Sequence, residues 1–291
     1  MTEPPVTKLD IRGCGIALRR AGSGRPLLLL HGAADAGQWL PCMDEIAARH
    51  DVIVPEHPGF GASDTPAWLD TIPDLANFYL DLIDQLDLTD IDLVGHDLGG
   101  WIAAELAVRD RRRLASLTLV GAAGIHVPGV AQTDAFLRTD EQRIRDHFHD
   151  PARADAMIQH VLRPETEDLN LKNQTTTARL TWQPRGYDPH LAKWLHRIKL
   201  PTLLVWGGND RLLPPAYAAA WQKLIPSAQL VAIPDCGHLP HVEQPDRFTA
   251  VLGDWLTEHH QQQPQNPPST PITPRDRAAG SLMTIPQRRT A

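Results

Sequence analysis

Three side chains in this sequence could perform covalent chemistry together: Asp97, Asp210 and His238. Asp97 stands in Leu93-Val94-Gly95-His96-Asp97-Leu98-Gly99-Gly100-Trp101, after a short apolar run and before a stretch with helical composition. Strand, sharp turn and helix would force the residue at the turn into a strained backbone conformation beside which only small neighbours fit. Gly95 and Gly99 supply those neighbours. A carboxylate with a reference pKa near 3.9 is anionic at neutral pH and needs no base to become a nucleophile. Attack on an ester carbonyl would give an anhydride, a poor route. Attack on a saturated carbon bearing a leaving group gives an alkyl ester, stable enough to be an intermediate. His238 would then activate water against that ester, with Asp210 orienting the imidazole and stabilising its charge.

The elements needed to hold these groups are legible as an alternation of strands and helices. Residues 8–20 alternate loosely and predict an antiparallel edge hairpin. Leu27 to Leu30 is a continuous apolar run of the kind buried on both faces of a parallel sheet. A helix is expected over residues 38–49, a strand over 52–54, and a helix over 74–86 with Leu75, Phe78, Leu82 and Leu86 on one stripe. The strand ending at Asp97, its helix to about Arg109 and a strand over 117–121 follow. From about Ile125 to Ile198 the chain turns polar and helical, with Phe136, Phe148, Met157, Ile158, Val161 and Leu162 as scattered apolar anchors. Strands resume at 201–206 and 230–233, and a last helix is expected over 245–258. The expected organisation is an α/β core over 1–124 and 199–260, interrupted by a helical lid over 125–198. Residues 261–291, rich in Gln, Pro, Thr and Arg, are expected to be disordered.

The bulk numbers narrow the class. A chain of 291 residues, 42% hydrophobic, can bury a sizeable core. Its net charge of −7 argues against a nucleic-acid partner. Cys14, Cys42 and Cys236 are odd in number and widely spread, as expected of reduced thiols. No apolar run approaches membrane-spanning length and the start lacks a signal-peptide pattern. These features lead us to expect a cytoplasmic monomer or homodimer acting on a small molecule, with no membrane partner, no cofactor and no metal.

From about residue 25 to 258 the chain resembles the α/β-hydrolase family. The resemblance rests on His31-Gly32, on Pro58-Gly59-Phe60-Gly61-Ala62-Ser63, on Gly95-His96-Asp97-Leu98-Gly99 in the manner of the G-x-S-x-G nucleophile elbow, on the Asp210 loop and on Gly237-His238. Nucleophile, acid and histidine fall in that family's order. The resemblance implies a mostly parallel, doubly wound sheet with an inserted helical lid, and places the backbone N–H groups of Ala33 and Leu98 as an oxyanion hole. Aspartate at the elbow is similar to epoxide hydrolases and to haloalkane or haloacetate dehalogenases. Three positions depart from those members. Ala34 stands where they carry proline, Leu98 where dehalogenases carry tryptophan or arginine, and the lid has Tyr187 where epoxide hydrolases use two tyrosines. The lid end, Ala178 to Arg185, looks more like serine-type esterase and carbon–carbon hydrolase relatives.

Three readings follow. Asp97 is the nucleophile of a hydrolase acting on an epoxide, favoured slightly for its ring strain, or on a carbon–halogen bond. Alternatively it is a general base on an esterase or carbon–carbon hydrolase scaffold, or the chain is a non-catalytic binding scaffold, which has no need of both Asp210 and His238. Trp39, Trp182 and Tyr187 are the expected pocket aromatics. Trp101, one helical turn after the elbow, is expected to pack. His31 and His96 are expected to hydrogen-bond the loops near the elbow. His147, His149 and Asp150 are spaced like metal ligands, but a solvated lid face accounts for them. Cys236 is read as a packing residue.

Overall fold

The structure is a computed structural model that describes residues 3–262. The expected tail lies outside the described residues, apart from the first two positions of its span. Strands β1 (Thr7–Ile11), β2 (Cys14–Gly22), β3 (Arg25–Leu30), β4 (His50–Pro55), β5 (Ile91–His96), β6 (Leu114–Val120), β7 (Thr202–Gly207) and β8 (Ala228–Ile233) form one sheet. Their order is β1-β2-β4-β3-β5-β6-β7-β8. β2 pairs antiparallel with β1 and β4, and every pairing from β4 to β8 is parallel. The hairpin predicted at the edge is β1–β2.

The apolar runs do what a strand buried on both faces requires. Along β3, Leu28 and Leu30 enter one core while Leu27 and Leu29 enter the other; along β7, Leu204 and Trp206 oppose Leu203 and Val205. Helices α2 (Ile72–Gln85), α3 (Leu98–Arg109) and α7 (Pro215–Leu224) cover the first face; α1 (Pro41–Ala47) and α9 (Pro245–Gln262) cover the second. α2 starts at a capping box in which the Thr71 hydroxyl accepts from the Asp74 N–H and the Asp74 carboxylate accepts from the Thr71 N–H. α1 is shorter than predicted because Pro41 opens it. Gln38 and Trp39 instead belong to the preceding loop.

Between β6 and β7 the chain leaves the sheet and forms α4 (Asp140–His147), α5 (Pro151–Val161) and α6 (Glu167–Thr181). These helices stand over the C-terminal ends of the parallel strands. The short α8 (Pro240–Glu243) precedes α9. Among the described residues no helix is long and apolar enough to cross a membrane. Cys14, Cys42 and Cys236 are free and buried, and burial pushes the Cys236 thiol up to about 12.

Candidate active site

Open parallel sheets leave a crevice at the carboxyl ends of their strands. Four loops meet there, following β3, β5, β7 and β8. The β5 loop is a single residue, Asp97, with φ +48° and ψ −113°. Its conformation is held from both sides. Its N–H donates to the Val120 carbonyl at 3.0 Å, and its own carbonyl accepts from Trp101 and Ala123 N–H at 3.1 Å each. The two glycines are required by contact. A Cβ at Gly95 would lie 2.3 Å from the Gly99 carbonyl oxygen, and one at Gly99 would lie 2.1 Å from that of Leu30. The backbone strain therefore stands Asp97 at the crest of the turn, with 21% of its side chain exposed toward the crevice.

The other two candidate residues converge on it. Asp210, buried in the loop after β7, accepts from the Leu212 and Leu213 N–H groups through Oδ1, each at 2.9 Å. That leaves Oδ2 to accept from His238 Nδ1 at 2.7 Å. The tautomer is thereby set, and His238 Nε2 faces Asp97 Oδ1 at 3.5 Å. Asp97 Oδ2 accepts from the Ala33 N–H at 3.3 Å. Leu98 opens α3, so its N–H is one of the first-turn amides that an α-helix leaves unused. The two carboxylate oxygens thus have different surroundings: Oδ1 faces the imidazole, Oδ2 the Ala33 N–H.

The charges are strongly coupled. Burial alone would lower the His238 pKa, but the Asp210 and Asp97 carboxylates carry it up to about 10. Burial alone would raise Asp97, but the hydrogen bond and charge of His238, aided by His96 and the Ala33 N–H, hold it well below the usual carboxylate range. At neutral pH the resting site is an imidazolium between two carboxylates.

Further residues brace this arrangement. His31 donates from Nδ1 to the Gly32 carbonyl at 2.7 Å and accepts at Nε2 from the His57 N–H at 2.9 Å, which locks the Ala33 loop. His96 Nε2 donates to the His238 carbonyl at 3.2 Å. Both act on loops, as expected. Asp35 Oδ1 accepts from the Gly32 N–H at 2.6 Å, and its Oδ2 lies 3.0 Å from His241 Nε2 and 3.4 Å from His96 Nδ1. Among the described residues this is the group whose donor atoms gather closely enough to hold a cation, within 4.8 Å. Buried Glu243 accepts from the His149 and Asp150 N–H groups at 2.8 and 2.6 Å and, through its other oxygen, from the Gly237 N–H. One carboxylate therefore staples the lid to the His238 loop. Nothing in the sequence pattern distinguished Asp35, His241 or Glu243, because their roles depend on chain segments far apart in sequence.

The cavity over Asp97 has a volume of about 660 Å³. Its lid side is apolar at Phe136, Ile144, Phe148 and Met157 and polar at Asn173 and Gln174. Trp101 forms part of the floor as well as packing. The three expected pocket aromatics do not line it. Trp39 donates to Asp44 Oδ1 at 2.9 Å and packs against the second core. Trp182 is half exposed, with the Arg185 guanidinium 4.4 Å from its ring centre. Tyr187 bridges to Gly124 through its backbone, and its ring lies tilted against His126 with centres 5.1 Å apart. Trp39 and Tyr187 meet partners outside the crevice, whereas Trp182 packs against Arg185 and Phe136, which line it in its place. His147 departs in the opposite sense: it is turned inward and lines the cavity, not a solvated lid face.

A strained aspartate at a strand-to-helix turn, faced by an aspartate-held histidine at the carboxyl edge of a parallel sheet, defines an α/β-hydrolase architecture. Residues 25–245 match the model of the alpha/beta hydrolase fold family, and the chain belongs to that family. It is 28% identical over 257 residues to a 2-hydroxymuconate semialdehyde hydrolase of Pseudomonas sp. (strain CF600), covering 83% of this chain and 90% of that one. It is 24% identical to a 2-hydroxy-6-oxo-2,4-heptadienoate hydrolase of Pseudomonas putida, covering 82% and 91%. A thermophilic esterase from Thermogutta terrifontis superposes with a TM-score of 0.68 at 28% identity, covering 89% of this chain and all of that chain (100%).

Proposed function

We propose that this chain is a hydrolase whose nucleophile is Asp97, forming an alkyl ester with a small organic electrophile and clearing it with water activated by His238. One observation carries the reading. A carboxylate occupies the crest of the elbow, with His238 against one oxygen and the Ala33 N–H on the other. Asp97 Oδ1 attacks the carbon and the leaving group departs on the opposite side. The ester no longer carries the charge that held the His238 proton, so that proton passes to solvent and the imidazole becomes a base. A water gives it one proton and adds to the ester carbonyl, whose oxygen is the Oδ2 held by Ala33. Collapse expels the alcohol, which takes the proton from His238. The Asp97 carboxyl proton then returns to His238 and restores the ion pair.

Among the described residues that line the cavity there is no tyrosine, and Tyr187 stands outside it. That favours a leaving group stable as an anion, an organohalide, over an epoxide whose alkoxide needs a proton. The test is a panel of bromoacetate, 1-bromobutane and styrene oxide turned over once in heavy-oxygen water, followed by peptide mass analysis. Label in Asp97, with bromide released from the first two, is the expected result. Turnover without label removes the nucleophile role, and labelling with styrene oxide alone reverses the preference.

A second reading is supported by the relatives, two of them named as hydrolases of 2-hydroxymuconate semialdehyde and of 2-hydroxy-6-oxo-2,4-heptadienoate. In it Asp97 is a general base on a scaffold built for serine. Asp97→Ser raising activity on p-nitrophenyl butyrate above that of the parent supports this alternative.

A further inference from the structure

The water that frees Asp97 carries two protons: one leaves as the oxygen adds to the ester, and the other stays on that oxygen until the Asp97 carboxyl releases it. His238 accepts the first. The second needs an acceptor of its own if the oxygen lone pair is to point at the ester carbon. We propose that His147 is a further catalytic residue of this site, the acceptor that holds the second proton of the hydrolytic water; this rests on the reading of Asp97 as nucleophile.

The geometry identifies the available atom. His147 is the last residue of α4, lines the cavity, and its ring centre lies 5.6 Å from that of His238 at an interplanar angle of 68°. Its Nδ1 sits 2.6 Å from the Arg143 carbonyl oxygen. A carbonyl only accepts, so Nδ1 carries the hydrogen and Nε2 is left with its lone pair. The ring is kept in that state. Burial and the neighbouring His238 charge outweigh the Arg143 hydrogen bond and push its pKa down to about 4. His147 is therefore an acceptor, not a donor, at neutral pH, and unsuited to protonating a leaving group. It is suited to a water bridging two imidazoles.

Its placement relative to His238 is also held by the backbone. The His238 N–H donates to the His147 carbonyl at 2.8 Å. A Cβ at Gly237 would lie 2.5 Å from that same carbonyl oxygen, so the close approach of lid and histidine loop requires glycine. Glu243 closes the same junction from the other side through His149, Asp150 and Gly237. None of these contacts uses the His147 side chain, so replacing the ring leaves the junction intact.

The experiment follows the Asp97 ester by rapid quench and peptide mass analysis, using the panel compound the wild type turns over fastest. His147→Leu should form the ester at the wild-type rate and lose it roughly ten- to hundredfold more slowly, the range expected for one orienting hydrogen bond. His147→Gln, whose amide oxygen reaches a similar point, should recover most of that loss. His147→Met, of similar length but with only a weak acceptor, serves if the leucine variant does not fold. Ester loss at the wild-type rate in the leucine or methionine variant overturns the assignment. So does equal slowing of formation and loss, or failure of glutamine to rescue. A wild type that never carries an Asp97 ester brings down the underlying reading instead, and this assignment with it.

Discussion

Asp97→Asn tests the electrostatic core of the mechanism without any substrate, because it imitates the charge lost on esterification. In the resting site His238 lies 2.7 Å from Asp210 and 3.5 Å from Asp97, and its pKa is about 10. A unit charge pair at 3.5 Å is worth about 5 kcal/mol at an effective dielectric near 20, equivalent to about three and a half pKa units. Asp97 keeps 21% of its side chain exposed, so screening brings the expected fall to ~2 units. The assay is a pH titration of the histidine ring resonances by NMR, with His238→Gln assigning the signal. A His238 pKa about two units lower in Asp97→Asn is the expected outcome. A shift smaller than about half a unit refutes the coupling. His238 would then have no electrostatic reason to release its proton when Asp97 is alkylated.

The same pair governs stability against pH. His238 has a folded pKa raised above its ordinary 6.5, so its contribution is fully present below 6.5 and is lost as pH rises toward about 10. The melting temperature should fall between pH 7 and 10 in the wild type and fall less in His238→Gln, as measured by scanning calorimetry. Glu243→Ala should remove the acceptor of three N–H groups at the lid junction and cost about 3 kcal/mol in urea unfolding. A loss below about 1 kcal/mol would show that water or a shifted loop replaces the staple.

The strands were legible because the requirement on them is local. A segment buried on both faces must be apolar throughout, and Leu27 to Leu30 and the runs before Asp97 and Asp210 announce themselves. The elbow was legible in part for a related reason: Gly95 is required by the Gly99 carbonyl within the turn itself, although Gly99 is required by the Leu30 carbonyl of β3, far away in sequence. The start of α1 was less so, since Pro41 opens the helix and the Trp39 indole, outside it, caps back onto Asp44 in its first turn.

The lid marks where sequence reasoning stops. Its helices are polar with scattered apolar positions, so no stripe declares which side faces the sheet. Trp39, Trp182 and Tyr187 are the residue types that line pockets, yet Trp39 and Tyr187 find partners elsewhere and Trp182 packs against Arg185, which lines the cavity instead. His147, by type and spacing a solvated residue, is turned onto His238. By itself the sequence determined the alternating core, the strained turn and the chain order of Asp97, Asp210 and His238, because backbone sterics and strand burial act over a few neighbours. Tertiary structure alone decided the distances among those three residues, the Glu243 staple and the direction of every lid side chain. Those depend on how segments tens of residues apart dock, 28 between Asp210 and His238, 64 between Ala33 and Asp97 and 94 between His149 and Glu243, which no local pattern encodes.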